Sequence, residues 1–390
     1  MAKLIVISPT PTHPQDAGNR ARIFSLLTAL KAAGHQICFV FVKMETGDET
    51  TMAKTWDEFY TISYHCPRER WLKRIADFCS RRIGCKFLWP YGIDDWYAPE
   101  ISLRLQDIRQ QANPDAVIIE YVFLSRAFEC FGEKIFKILD THDVFGDRHR
   151  MYLKNDVAQQ WFYTKVTEEQ KALDRANLVL AIQKNEAAYF SRLTKRPVIT
   201  VGHLIPEQKK NEHLTGENNR LLFVGSGNPI NINALNWFIK NVFPMIRKLV
   251  PEVELDIVGD SAGAFPPGKG IIMTGNTTDL TAHYGKAKAV INPIQFGTGL
   301  KIKTIEALAM RKPLITTTVG AAGLEEWKGK AFLCADSPEE FAKCVLQVLS
   351  SPDLQDTLTR HAADFTRTNN ENAVKPLLDI MHLHLSDNHA

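Results

Sequence analysis

Residues 289–318 read AVINPIQFGTGLKIKTIEALAMRKPLITTT and contain two short apolar runs separated by a glycine loop and a helical stretch. The two runs, AVINPI and PLITTT, have the length and composition of buried strands. Ile302, Ile305 and Leu308 recur at three-residue steps, which predicts a helix between the strands. Pro313 stops that helix. A strand, a helix and a second strand in this order predict a parallel sheet with right-handed crossovers.

The predicted helix begins with cations where acidic side chains are expected. The start of a helix carries roughly half a positive charge and four N–H groups without partners. Lys301 and Lys303 add positive charge to that end. Gly297 and Gly299 allow backbone amides to turn toward the helix axis, the geometry that holds phosphate. An anion bound in this loop is therefore favoured over lysines that point into water.

The same alternation of strands and helices runs through the 390 residues, so we predict an α/β protein with two domains in tandem. Residues 1–205 form the first doubly wound domain. Residues 206–219 lose apolar periodicity and form a linker, after which the alternation restarts in a second domain, 220–365. A long helix is predicted at about 150–175.

The composition of the chain excludes several classes of protein. With 45% hydrophobic and 23% charged residues, and a formal charge of only +3, the chain reads as a globular protein with no case for nucleic acid. Its seven cysteines include no C-x-x-C pair, which favours buried thiols in a reducing compartment over disulfides or zinc. No apolar run approaches the length of a spanning helix. We therefore expect a cytoplasmic protein.

Two further loops follow predicted strands, where ligands bind in parallel sheets. The loop PTPTHPQDAGNRAR contains Asp16 and Gly18, but it lacks the G-x-G-x-x-G fingerprint of dinucleotide binding. DTHDVFGDRHR places His142 beside Asp143 after a strand. A histidine next to carboxylates can orient hydroxyls or move a proton, although a capping loop would have the same composition.

The stretch 291–324 resembles the donor-binding signature of the retaining glycosyltransferases of family 4, which have the GT-B fold. Weaker likenesses cover most of the chain, including SPTPTHPQDAGNRAR, DTHDVF and LLFVGSGNPINI. The resemblance implies two Rossmann-like domains facing a cleft. It also implies that a C-terminal helix within 366–390 crosses back to the N-terminal, acceptor-side domain.

The resemblance further implies transfer of a sugar, with retention, from a nucleotide-diphosphate sugar to a glycan or lipid-linked acceptor in polysaccharide biosynthesis. No metal and no cofactor are expected, because a helix dipole and cations neutralise the leaving diphosphate. Glu306 would bind ribose, although an ion pair with Lys303 is its ordinary role. His142, Asp16 and Asp143 are the catalytic candidates. The donor-site candidates are Gly18, Gly225, Thr278, Asp279, Leu280, Gly297, Thr298, Gly299, Leu300, Lys301, Lys303 and Glu306.

Two positions depart from the family pattern. Thr298 stands where the family often has the first of two glutamates, and GSGNPINI replaces the usual R-x-x-x-x-K of the first C-terminal loop. The alternatives are a nucleotide-sugar 2-epimerase, which shares the fold and the donor, and a non-catalytic subunit that binds a nucleotide sugar.

Residues 66–86 carry seven basic and two acidic side chains. Trp71, Leu72, Ile75, Phe78 and Cys79 lie among them at near-helical spacing. A basic amphipathic helix can lie on anionic lipid, so a peripheral contact with the cytoplasmic face of the membrane is one interpretation. The other is a helix whose apolar face lies in the core of the N-terminal domain.

Overall fold

In the computed structural model the chain forms two compact α/β units. The structure describes residues 2–82, 90–157, 161–205, 219–277, 280–299 and 301–386. Unit 1 comprises Met1–Leu204 and Asn372–Ala390, and unit 2 comprises Ile205–Glu371. The predicted linker, 206–219, lies outside the described residues apart from Asn219.

Unit 1 is built on a sheet whose described strands all run parallel, in the order β3-β2-β1-β4-β5-β6-β7. Its strands are β1 (Lys3–Ser8), β2 (Gln36–Val42), β3 (Glu58–Ile62), β4 (Ala116–Glu120), β5 (Phe136–Asp140), β6 (Leu178–Ala181) and β7 (Val198–Thr200). Its helices before the linker are α1 (Gly18–Ala32), α2 (Glu49–Thr55), α3 (Arg68–Arg82), α4 (Pro99–Ala112), α5 (Arg148–Lys154), α6 (Val166–Asp174) and α7 (Lys184–Leu193). The strand order reverses between β1 and β4, which is where ligands bind in such sheets.

Both faces of this sheet are buried. Along β1, Leu4 and Val6 join one apolar cluster and Ile5 and Ile7 join the other. Successive side chains of a strand point to opposite faces, so a continuous apolar run such as KLIVIS requires helices on both sides.

Unit 2 repeats the plan with a second parallel sheet, ordered β10-β9-β8-β11-β12-β13. Its strands are β8 (Arg220–Val224), β9 (Glu254–Val258), β10 (Ile271–Gly275), β11 (Ala289–Asn292), β12 (Leu314–Thr316) and β13 (Leu333–Cys334). Its helices are α8 (Pro229–Trp237), α9 (Phe243–Leu249), α10 (Leu280–Lys286), α11 (Ile302–Ala309), α12 (Pro338–Ser350) and α13 (Pro352–Ala373). The prediction of two doubly wound α/β domains is confirmed.

The C-terminal helix α14 (Lys375–Ser386) belongs to unit 1, although the chain before it belongs to unit 2. Leu377 and Met381 are fully buried in the cluster that contains Leu4 and Val6. The expected return of the chain to the N-terminal domain is therefore seen in the packing of this helix.

The predicted helix at 150–175 is wrong. Two shorter helices, α5 and α6, stand in its place, and Thr164 pairs with Tyr91 and Gly146 between them. Tyr91, Phe162 and Tyr163 pack there as a cluster of rings, and this aromatic packing overrides the local helix propensity. Within the described residues, no helix combines the length and the apolar character needed to cross a membrane.

Leu377→Ala tests the docking of α14. Truncating a fully buried leucine leaves a cavity, so we expect a loss of about 2–5 kcal/mol of unfolding free energy. Leu383→Ala on the same helix is the matched control, because Leu383 is 67% exposed and its truncation should change stability by less than about 0.5 kcal/mol. The measurement is urea unfolding of the full chain. Equal effects of the two changes would contradict this packing.

Candidate functional site

The carboxyl ends of β4 and β5 place two buried acids side by side in unit 1. Glu120 and Asp140 are paired in the register of the two parallel strands, so their side chains lie on the same face. Both residues are fully buried. Burial raises the pKa of Glu120, and the neighbouring Asp140 raises it further, while the hydrogen bond to His142 opposes this rise.

His142 follows two residues after Asp140 and contacts both acids. Its Nε2 lies 2.5 Å from Oε2 of Glu120, so one proton lies between the ring and the carboxylate, and 4.0 Å from Oδ2 of Asp140. The ring stacks on Tyr121 with the ring centroids 4.1 Å apart. This contact fixes the orientation of the imidazole and leaves Nδ1 without a partner among the described residues.

The backbone at this point is strained. Tyr121 has a φ of 71° and His142 a φ of 61°, in the left-handed region that residues with a Cβ seldom adopt. Such conformations cost about 1–3 kcal/mol each and persist only where the surroundings impose them. Here the stacked rings and the Glu120–His142 contact impose them.

Arg22 neutralises the second acid. Its Nη2 donates to both carboxylate oxygens of Asp140 at 3.0 Å, and its Nη1 donates to the carbonyls of Val201 and Gly202. Arg22 is 1% exposed, so this ion pair is held entirely inside the unit. The guanidinium therefore ties α1 to the end of β5 and to the chain after β7.

Glu120, Asp140 and His142 lie close enough together to be metal ligands. A cation would have to compete with Arg22 for Asp140 and with the shared proton for Glu120 and His142. The donor set therefore fits a network of charges and protons better than a metal site, although Oε1 of Glu120 has no partner among the described residues.

The other predicted residues of unit 1 are separated from this network. Asp143 pairs with Arg148 at 3.0 Å, and its Oδ1 accepts from the backbone of Val144. Asp16 has a side chain 63% exposed and pairs with Arg20 at 3.1 Å. Gly18 is the first residue of α1.

In unit 2 both glycines of the predicted loop have positive φ values. Gly297 has a φ of 140° and Gly299 a φ of 76°, so glycine is required for the loop to turn into α11. The first turn of α11 carries no acidic residue. Lys301 precedes the helix, and its Nζ donates to the carbonyls of Thr298 and Gly299 at 2.6 and 3.2 Å.

Lys303 reaches across from α11 to the first turn of α8. Its Nζ donates to Oδ1 of Asn231 at 2.6 Å and lies 5.2 Å from the ring centroid of Phe223. A Cβ on Gly225 would lie 3.0 Å from this Nζ, so glycine makes room for the ammonium. Lys303 and Glu306 both lie in the described part of the chain, and they form no ion pair with each other. The ion pair expected as the ordinary role of Glu306 is therefore not observed.

Both titratable groups of this helix have shifted pKa values. The pKa of Lys303 is lowered to about 7, mainly by desolvation. Glu306 opposes this shift, and the nearby Lys301 adds to it. Desolvation also raises the pKa of Glu306 to about 7, against the effect of Lys303. A half-buried lysine bonded to a neutral amide lacks a full counter-charge, so this site favours an anion.

A buried network holds α11 against the sheet. Asn292, at the end of β11, donates to the hydroxyl of Thr304 at 2.8 Å, and that hydroxyl donates to the carbonyl of Gly320 at 2.8 Å. A Cβ on Gly320 would collide with Oγ1 of Thr316. These contacts fix the first turn of α11 relative to the strand ends.

Of the remaining predicted residues of unit 2, only Leu280 and Thr298 lie in the described part of the chain. Thr278, Asp279 and Leu300 lie outside the described residues. Leu280 begins α10 and is 39% exposed. Oγ1 of Thr298 is shielded from solvent without a partner among the described residues.

Sequence reasoning missed Glu120, Arg22 and Asn231. A charged residue that ends the apolar run AVIIE was a usable signal for Glu120, because an unpaired carboxylate is seldom buried. Nothing in the local pattern links Arg22 to Asp140, which lies 118 residues away. Asn231 reads as part of an ordinary helix start.

Residues 218–351 match the family described as Glycosyl transferases group 1. A relative from Klebsiella pneumoniae, named an uncharacterized 44.6 kDa protein in the cps region, is 24% identical over 384 residues, which are 89% of this chain and 90% of the relative. The structure of TarM is similar with a TM-score of 0.73 at 10% identity, over 97% of this chain and 98% of TarM. A sucrose-phosphate synthase from Thermosynechococcus elongatus has a TM-score of 0.71 at 16% identity, over 99% of this chain and all of the synthase chain.

At these identities the solved structures establish the fold alone, and the family match over residues 218–351 is the observation that points to glycosyl transfer. The domain match includes the glycine loop, Lys303 and Glu306. Together, the domain and the two-sheet architecture support the assignment of the chain as a glycosyltransferase with the GT-B fold.

Proposed function

We propose that the chain moves a sugar from a nucleotide-diphosphate sugar to a glycan or lipid-linked acceptor, with retention and without a metal ion, as a retaining enzyme of family 4. The observation that carries the proposal is the start of α11. There the glycine loop, the helix dipole and Lys303 supply positive charge that no acidic residue of the first turn balances. The diphosphate of a nucleotide sugar would balance this positive charge, because it is doubly anionic and accepts several N–H hydrogen bonds.

The relatives support a particular donor and setting. A structure of TarM from S. aureus was solved with UDP and alpha-GlcNAc-glycerol, so UDP is the first nucleotide to test. The Klebsiella relative is named for a cps region, which supports polysaccharide biosynthesis. We include in the proposal a cytoplasmic location with peripheral contact to the inner face of the membrane.

The proposed reaction breaks the bond between the anomeric carbon and the diphosphate and forms a bond from that carbon to an acceptor oxygen. The acceptor hydroxyl gives up its proton, and the leaving diphosphate accepts one. Lys303 and the amides after Gly299 stabilise the charge that develops on the diphosphate. Glu306 accepts hydrogen bonds from ribose, and His142 contacts the sugar.

A thermal-shift panel tests the proposal as a whole. A ligand that binds only the folded state raises its stability with concentration, so nucleoside diphosphates should raise the melting temperature. Product analysis with the matching nucleotide sugar follows. Turnover without any acceptor would indicate the epimerase instead. Donor binding with no turnover across acceptors would indicate the non-catalytic subunit.

Lys303→Ala tests the diphosphate contact. A charge-assisted hydrogen bond is worth about 1.5–3 kcal/mol, so we expect affinity for UDP to fall roughly ten- to a hundred-fold. Affinity for uridine should change little, and the apo protein should melt no lower. Lys328→Ala, which removes the same charge from an exposed position in unit 2, is the control.

Glu306→Gln tests the proposed contact to ribose independently of the contact to the diphosphate. It should weaken UDP and uridine by similar factors, because the ribose is common to both ligands. Both variants are measured by calorimetric titration. If Lys303→Ala left the affinity for UDP unchanged, the diphosphate assignment would lose its main support.

The lowered pKa of Lys303 predicts proton uptake on binding. With a pKa of about 7, Lys303 is mostly neutral at pH 8, and a bound diphosphate would raise that pKa toward its ordinary value. At pH 8 UDP should therefore bind with uptake of close to one proton, and its affinity should fall as the pH rises above about 7. Titration in buffers of different ionisation enthalpy measures the uptake. An enthalpy independent of the buffer would contradict the assignment.

His142→Ala and Glu120→Gln test the network of unit 1. Loss of a contact that positions the reacting sugar costs roughly a hundred-fold in turnover, so His142→Ala should lower kcat by that amount with little change in UDP affinity. Glu120→Gln retains a hydrogen-bond acceptor but removes the charge. It should lower kcat less and shift the pH profile of kcat. Normal turnover of His142→Ala would remove this residue from the reaction.

A further inference from the structure

Helix α3 presents its apolar side chains outward. Trp71, Leu72, Ile75 and Phe78 are 56%, 50%, 41% and 59% exposed. They lie at positions i, i+1, i+4 and i+7 and therefore form one stripe along the helix. The prediction that this apolar face could lie in the core of the N-terminal domain is wrong for these four residues.

Two cations of α3, Arg70 and Lys73, in contrast hold the helix to the rest of unit 1. The guanidinium carbon of Arg70 lies 3.5 Å from the ring centroid of Trp96, and its Nη1 donates to the hydroxyl of Tyr64 at 3.0 Å. Lys73 donates to Asp95 and lies 5.1 Å from the ring centroid of Tyr91. Trp96 and Tyr91 are themselves buried in the core.

The docked face and the apolar stripe lie on opposite sides of the helix. At 3.6 residues per turn, the midpoint of Arg70 and Lys73 is about 160° from the middle of the stripe. An ordinary surface helix buries its apolar side and exposes its charges. Here the arrangement is reversed, so the cation–π and ionic contacts keep the stripe facing away from the unit.

We propose that the stripe of Trp71, Leu72, Ile75 and Phe78 docks on an anionic lipid bilayer, with α3 lying in the interface. This inference deepens the peripheral membrane contact that forms part of the proposed function. Aromatic and aliphatic side chains enter the boundary between headgroups and acyl chains, and basic side chains beside them meet the headgroups.

The charges next to the stripe fit this partner. Helix α3 contains six basic and two acidic residues in its fifteen positions. Arg74 and Arg82 are exposed, and the guanidinium carbon of Arg82 lies 5.4 Å from the ring centroid of Phe78. Positive charge beside an apolar stripe favours an anionic surface over a neutral one.

The size of the stripe disfavours a second protein chain. Its exposed fractions amount to about two whole side chains, or roughly 400 Å² of surface. A stable protein interface takes about 800 Å² from each partner. A bilayer needs no complementary shape, so a narrow stripe with adjacent cations is enough for reversible attachment.

Vesicle flotation of the full chain tests the proposal. Vesicles of phosphatidylglycerol with phosphatidylcholine should carry the protein upward, and vesicles of phosphatidylcholine alone should carry far less. The double change Trp71→Glu with Phe78→Glu should lower the bound fraction at least ten-fold. Leu249→Glu, at a leucine 69% exposed in unit 2, is the matched control and should float like the unchanged protein.

A second variant tests the charges separately. Arg74→Glu with Arg82→Glu should lower binding to the anionic vesicles and leave the weak binding to neutral vesicles unchanged. Both double variants should keep the melting temperature and the UDP affinity of the unchanged protein, so failure of the donor assignment and failure of this proposal give different results.

Three outcomes would overturn the proposal. The unchanged protein could stay in solution with anionic vesicles, the Trp71 and Phe78 variant could float as before, or the charge variant could bind anionic vesicles fully. Analytical sedimentation of the protein without vesicles tests whether a second copy of the chain binds the stripe instead. A dimer that the Trp71 and Phe78 variant dissociates would assign the stripe to a second copy of the chain.

Discussion

The ion pair between Arg22 and Asp140 is the constraint on which the arrangement of unit 1 depends. The Nη2 of Arg22 contacts both oxygens of Asp140, and its Nη1 donates to two backbone carbonyls beyond β7. The pair is almost fully buried. Removing one member of such a pair leaves an uncompensated charge and costs about 3–5 kcal/mol. Arg22 also offsets part of the effect of the Asp140 charge on Glu120, because Arg22 lowers the pKa of Glu120 while Asp140 raises it.

Sheet topology brings these residues together. Parallel strands end on the same edge, and the β1–β4 reversal opens the loops that follow them. Glu120 and Asp140 thus meet because of strand register, while Arg22 arrives from the helix after β1. None of these residues is near another in sequence except Asp140 and His142, so the network is a product of the fold and not of a local motif.

This explains which parts could be predicted from the sequence. The two parallel sheets follow from apolar runs such as KLIVIS and AVINPI, whose signal is local. The glycine loop and the cations before α11 were also local, and the structure gives Gly297 and Gly299 the positive φ values that such a loop requires. Partners set by strand register or by a distant helix, such as Glu120 for His142 and Asn231 for Lys303, had no sequence signal of comparable strength. The helix predicted at 150–175 failed because Tyr91, far away in sequence, determines the packing there.

The two clusters differ in how their charges are balanced. In unit 1, Arg22 is matched by Asp140, and Glu120 is matched by His142. In unit 2, Lys303 is bonded to a neutral amide, at the positive end of a helix, and its pKa falls because the charged form is poorly stabilised. A lysine that served only the fold would gain stability from an acidic partner, and Glu306 one turn away does not form that ion pair. In the proposed function the diphosphate is the counter-charge that Lys303 lacks, and its binding stabilises the folded state by favouring the charged lysine.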